Sequence, residues 1–166
     1  MQLPKIRGLA LDVDGVLTDG SVWWGPDGEE WKRFHFADIM GVSLACKAGL
    51  VMTLISGEDS PLVDRFAMKL GLTGAAKGCK DKAAALRDFA ARCGLGLGEV
   101  GFMGDDVNDL GAILLAGWSA APADAHPSVR ARVDLVTVRS GGNGAVREVI
   151  DHLLAARAGA FPAVAS

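Results

Sequence analysis

The 166-residue chain is 50% apolar by residue count, enough for one compact domain with a full core but not for a second catalytic domain. Its 17 Lys and Arg against 20 Asp and Glu give a net charge of -3 with no basic run, which excludes the electrostatic footprint of a nucleic-acid binder. No uninterrupted apolar stretch is long enough to span a bilayer, and Met1 to Lys5 carries no signal-like apolar core, so the expected location is the cytoplasm.

In chain order, an apolar strand over about Ile6 to Val13 runs into Asp14 and Gly15. Ser21 to Phe36 has aromatic and branched flanks around Gly25-Pro26-Asp27-Gly28, which is turn chemistry, and reads as a β-hairpin. Beyond it, helical and strand patterns alternate. Ile39 to Lys47 is helical and closes at Gly49, and Leu50 to Ile55 is a short strand. Ser60-Pro61 sets a cap residue before a proline at the first helical position, opening a helix that stops at Gly71. A short strand at Ala75 precedes an alanine-rich helix from Asp81 to Cys93. Val100 to Met103 is a strand and about Asp106 to Leu115 a helix. Trp118 to Ala121 and Leu135 to Val138 are further strands, and Gly144 to Ala156 is the last helix. The glycine-rich stretch Ser140 to Gly144 is too pliable to be rigid alone. The expected organisation is one domain over 1–157, its hairpin at about 21–36, and a flexible tail over 158–166. Short apolar strands alternating with helices predict a parallel sheet covered on both faces, which takes ligands at the carboxyl ends of its strands.

Cys46, Cys79 and Cys93 are odd in number and far apart, which suggests neither a disulfide framework nor a zinc site. His35, His126 and His152 have no metal-binding spacing and read as structural or surface residues.

Four groups of candidate residues follow the expected carboxyl ends of different strands. Asp12 and Asp14 follow the first; because alternate side chains of extended backbone share a face, the two carboxylates start out pointing the same way. Like charges that close call for a hard divalent cation, without which repulsion and burial push one carboxyl's pKa up. Alone, this Asp-x-Asp-Gly reads equally as a turn or a calcium loop. Ser56-Gly57 follows the second strand, Lys82 lies where a loop enters a helix, and Asp105 and Asp109 follow the strand ending at Met103.

These types together suit phosphoryl transfer, which needs positioning, a cation and hydrogen-bond donors. Asp12 is the expected nucleophile, forming an aspartyl-phosphate, and Asp14 the acid and base. Asp12, Asp14 and Asp105 are the candidate ligands of Mg²⁺, with a backbone carbonyl. Ser56 is expected to donate a hydrogen bond to the phosphate, Lys82 to supply positive charge, and backbone N–H groups near Gly15 and Gly57 to approach closely. Two alternatives stay open: a noncatalytic binding or assembly module, and a phosphotransfer receiver domain, which shares the aspartyl-phosphate, Mg²⁺ and lysine but lacks the second Asp.

With Asp12 to Gly20, Ser56-Gly57, Asp81-Lys82, Gly104 to Asp109 and Gly141 to Glu148 in this order, the chain resembles the haloacid dehalogenase-type phosphatases, within them the 3-deoxy-D-manno-octulosonate 8-phosphate phosphatase branch. The resemblance covers about Ile6 to Leu154. It implies a Rossmann-like three-layer sandwich with a mainly parallel central sheet, a short β-hairpin insertion and no cap domain. It also implies Mg²⁺ as cofactor, an acidic 2-keto-3-deoxy sugar phosphate as substrate, and a homotetramer in which a neighbour and the glycine-rich segment cover the pocket. Trp23, Trp24 and Trp31 on the hairpin suit such an interface, and the competing reading packs them into their own subunit. Gly57, Glu58, Lys69 and Asn108 are the implied substrate-binding residues. Glu58 stands where octulosonate phosphatases generally carry arginine, and Glu58 with Lys69 resembles relatives acting on nine-carbon nonulosonate 9-phosphates. Phe66, where those relatives have arginine, and Ala37-Asp38-Ile39-Met40-Gly41, in place of the usual Arg-Asp-Gly-x-Gly, depart from the pattern. The expectation leans slightly to the nine-carbon ester, with the eight-carbon ester close behind.

Overall fold

Along the first strand, β1 (Gly8–Leu11), Leu9 and Leu11 enter one core and Ala10 another, the alternation that period-2 backbone imposes. β4 (Val51–Ile55) repeats it, with Met52 and Leu54 on one face and Ile55 on the other. The computed structural model, which describes residues 5–72 and 74–158, therefore has two cores separated by a sheet. The sheet has six strands, all parallel, in the order β5-β4-β1-β6-β7-β8, where β5 is Ala75–Ala76, β6 Val100–Met103, β7 Trp118–Ala121 and β8 Leu135–Val136. Helices α1 (Phe36–Lys47), α2 (Pro61–Leu70) and α6 (Ala145–Arg157) cover one face. Helices α3 (Lys82–Arg92), α4 (Leu110–Leu115) and α5 (Pro127–Arg130) cover the other. No helix among the described residues is long and apolar enough to cross a membrane.

The chain grows outward from β1 to β4 and β5, then returns to the other side of β1 to lay down β6, β7 and β8. That reversal puts a topological switch point beside β1, where the carboxyl ends open a crevice. Register sharpens it: Leu11 pairs with both Leu54 and Met103, so the residues that follow each strand become neighbours.

The hairpin pairs β2 (Trp23–Trp24) with β3 (Glu30–Trp31) in antiparallel fashion. Trp23, Trp24 and Trp31 are 49%, 77% and 55% exposed, so they do not fill the core of the chain.

Several elements differ in extent from the sequence expectation. β1 stops at Leu11 because the N–H groups of Leu17 and Thr18 converge on the Val13 carbonyl, curling the chain out of the sheet. α1 starts at Phe36, its first turn capped by His35, whose Nδ1 accepts from the Ala37 N–H. The expected helix from Asp106 divides into a 3₁₀ turn, Val107–Asp109, and α4. β8 ends at Val136 because the N–H groups of Val138 and Arg139 go to Glu148 instead. α5 adds a helix beyond those expected; its signal is His126-Pro127, another cap before proline, with His126 Nδ1 accepting from the Ser128 N–H. Residues 159–166 of the expected tail lie outside the described residues.

The glycine-rich stretch is held by packing. Gly142 N–H donates to the Val16 carbonyl at 3.0 Å, and a Cβ on Gly141 would stand 1.8 Å from the Gly15 carbonyl oxygen. The segment docks on the first loop of the same chain, a contact only glycine permits.

Candidate active site

Asp12 leaves β1 with its N–H on the Met103 carbonyl of β6, a position that aims its side chain into the crevice. One carboxylate oxygen accepts from the Val13 N–H at 2.7 Å, and the other lies 2.8 Å from Lys82 Nζ. Lys82 opens α3, where Asp81 caps the helix by accepting from the Ala84 N–H, and this fixes the direction of the lysine stem. Its buried ammonium also meets Asp109 Oδ1 at 2.6 Å.

Asp109 is fully buried, and its Oδ2 accepts from the N–H groups of Asp105 and Asp106. Those two bonds pull the loop after β6 into the 3₁₀ turn and set Asp105 beside the pocket. Gly104 leaves the room, since a Cβ there would stand 2.5 Å from the Asp109 carboxyl carbon.

One carboxylate oxygen from each of Asp12, Asp105 and Asp109 lies within 4.8 Å of the others. Burial, then the charge of Asp109, lifts the Asp12 pKa to about 8 against the pull of Lys82. Burial, then Asp109 and Asp106, lifts that of Asp105 to about 7. Lys82 loses to burial but gains more from Asp12 and Asp109, so its pKa is raised and it stays charged. Such crowded, all-oxygen carboxylates fit a hard divalent cation, which would relieve the repulsion. Asp12 and Asp105 line the pocket whereas Asp109 lies behind it, so the first two are the side chains that would hold the ion.

Asp14 departs from the geometry of an extended strand. It sits in the turn after Val13, and its Oδ1 is 2.8 Å from Lys32 Nζ, outside the carboxylate cluster. It still lines the pocket, a cavity of about 570 Å³, together with Lys82. Gly57, Glu58 and Asn108 line it as well. Ser56 is fully buried beneath them and its Oγ accepts from the Glu58 N–H at 3.2 Å. Lys69 is not brought to the pocket: it lines a separate cavity of about 200 Å³ with Phe34, Arg65 and Phe66.

Residues at the site without a role assigned from sequence include Cys79, Lys80 and Lys32. Cys79 lines the pocket as a free thiol. Lys32, just after β3, has a side chain only 1% exposed and a second carboxylate partner, Glu58 Oε2, at 2.7 Å. Burial pulls its pKa down, and the paired carboxylates of Asp14 and Glu58 raise it by more. The signal was in the alternation Trp31, Lys32, Arg33, Phe34: Lys32 shares the inward face with Phe34, whose ring stacks on Phe66 at 4.4 Å.

A family model described as haloacid dehalogenase-like hydrolase matches residues 75–150. The chain is 40% identical over 153 residues to the 3-deoxy-D-manno-octulosonate 8-phosphate phosphatase KdsC of Escherichia coli (strain K12), covering 92% of this chain and 81% of that one. It is similar in structure, at a TM-score of 0.90 and 35% identity, to the Moraxella catarrhalis 3-deoxy-D-manno-octulosonate 8-phosphate phosphatase solved with magnesium ion, phosphate ion and KDO, covering 93% of this chain and 89% of that one. The cobalt-bound phosphatase of Haemophilus influenzae matches at a TM-score of 0.91 and 36% identity, covering 95% and 92%.

Proposed function

Because the chain belongs to the haloacid dehalogenase-like hydrolases, in the branch of the 3-deoxy-D-manno-octulosonate 8-phosphate phosphatases, we propose that it is a Mg²⁺-dependent phosphatase of an acidic 2-keto-3-deoxy sugar phosphate. The observation that carries this reading is the meeting of Asp12, Lys82 and Asp105 at one rim of the sheet. Asp12 attacks phosphorus in line and becomes an aspartyl-phosphate while the sugar alkoxide leaves. Asp14 gives that alkoxide a proton, then takes one from the water that frees the phosphate. Lys82 balances the charge of Asp12 and of the incoming phosphate, and Ser56 is assigned a hydrogen bond to it. Asp12 and Asp105 are the side chains that would hold Mg²⁺, which would supply the positive charge that lets an anionic carboxylate approach an anionic ester.

For the substrate we favour 3-deoxy-D-manno-octulosonate 8-phosphate. The lean to the nine-carbon ester rests on Glu58 acting together with Lys69, as in the relatives that take nonulosonate 9-phosphates. Glu58 is already paired with Lys32, and Lys69 lies outside the pocket. Glu58 itself, replacing the usual arginine, keeps the nonulosonate 9-phosphates as the second reading. The exposed tryptophans of the hairpin support an interface between copies of the chain, which we assign to a homotetramer.

The test is Mg²⁺-dependent phosphate release with both esters. Asp12→Asn should lower kcat by at least about 10³-fold, and the wild type should yield a phosphorylated Asp12 by mass spectrometry of a quenched turnover mixture. Undiminished activity in Asp12→Asn would remove the nucleophile from this scheme. A higher kcat/KM for the eight-carbon ester is expected; the reverse order selects the nine-carbon reading.

A further inference from the structure

Lys32 is a buried cation inserted between two functional carboxylates by an element that is otherwise exposed. Its Nζ lies 2.8 Å from Asp14, 2.7 Å from Glu58 and 3.6 Å from Glu30. Its neighbours in sequence fasten the hairpin to the same rim. Arg33 donates to Asp19 Oδ2 and to Asn143 Oδ1, both at 3.0 Å, and Phe34 stacks on Phe66. The lysine is therefore placed from two sides, and its freedom to follow either carboxylate is small.

Remove the ammonium and Asp14, Glu30 and Glu58 are left facing one another as like charges. Glu58, with a side chain 55% exposed, can then swing into the pocket it lines, and Asp14 loses the contact that sets its direction. We propose that Lys32 is a positioning residue: it aims the Asp14 carboxyl group, which carries the proton in this step, at the leaving oxygen and holds Glu58 in an ion pair, so that an acidic sugar meets a neutralised rim. The assignment rests on the phosphatase reading and adds to it a residue outside the nucleophile loop, supplied by the hairpin.

The experiment compares Lys32→Met with the wild type on octulosonate 8-phosphate and on 4-nitrophenyl phosphate. An aryl oxide leaves without a proton whereas a sugar alkoxide needs one, and kcat/KM reports only the steps up to that departure. The ratio of kcat/KM, sugar ester over aryl ester, should fall at least about tenfold in Lys32→Met. KM for the sugar ester should rise, and adding Glu58→Gln to Lys32→Met should bring KM back down without restoring kcat, because the bare carboxylate is gone but Asp14 is still unheld. A merely structural lysine would lower both esters alike. A ratio changed by less than about twofold, or a raised KM that survives in the double variant, overturns the proposal. Should Lys32→Met fail to fold by thermal melting, Glu58→Gln alone serves: it should lower KM for the sugar ester about threefold, and an unchanged KM overturns the proposal. Wild-type turnover of both esters tests the phosphatase assignment separately, since an active enzyme indifferent to Lys32 keeps that assignment and loses this one.

Discussion

Gly15 has φ +84, and a Cβ there would stand 2.1 Å from Asp105 Oδ2. Two requirements, a left-handed backbone and the close approach of a carboxylate, meet at one position that only glycine satisfies. Gly15→Ala should push Asp105 away from Asp12 and weaken Mg²⁺ binding by about 10- to 100-fold, read by calorimetric titration, with a parallel loss of kcat/KM. Retained affinity would mean that the loop yields and that Asp105 is not held by this contact. Asp109 shows a related economy. Its single carboxylate anchors Lys82 and two backbone N–H groups, so the residue beside the pocket owes its place to one behind it.

Helix α6 illustrates how one element completes another. Its N-cap, Gly144, has no side chain to offer, and the caps come from α1: Asp38 accepts from the Gly144 N–H at 3.0 Å and from the Arg147 N–H at 2.8 Å. Burial raises the Asp38 pKa, and those N–H groups pull it back. The two helices pack closely, since a Cβ on Gly41 would lie 3.1 Å from Arg147 Cα. Asp38→Ala should cost about 1–2 kcal/mol in urea unfolding, as for the loss of a helix cap, with Asp38→Asn costing less. Equal stability of wild type and Asp38→Ala would show the α6 terminus capped by other means. The unusual Ala37 to Gly41 segment thus keeps its aspartate as the clamp between α1 and α6, next to the glycine-rich loop.

At the level of the whole molecule, the carboxylate cluster makes stability depend jointly on pH and metal. With Asp12 raised to about 8 and Asp105 to about 7, from 3.8, the metal-free fold holds protons that the unfolded chain has released between about pH 4 and 8. The contribution of these groups to stability therefore falls as pH rises through that window. Mg²⁺ needs the deprotonated carboxylates, so the Tm rise it produces should grow from pH 5 to pH 8, measured by calorimetry with and without the ion. A rise independent of pH would count against the cluster as the binding site.

The linear order of residues was enough for the alternation of strands and helices, the hairpin turn and the placing of Asp12, Ser56, Lys82 and Asp105 after strand ends, because periodicity, caps and turn glycines act over a few residues. It did not reveal that Asp14 turns away to Lys32, that Lys69 faces another cavity, or that the glycine-rich segment docks on Gly15 and Val16. Those are contacts between groups far apart in the chain, chosen by which charges share a buried space and which backbones approach most closely. Only the folded sheet, with its register and switch point, decides them.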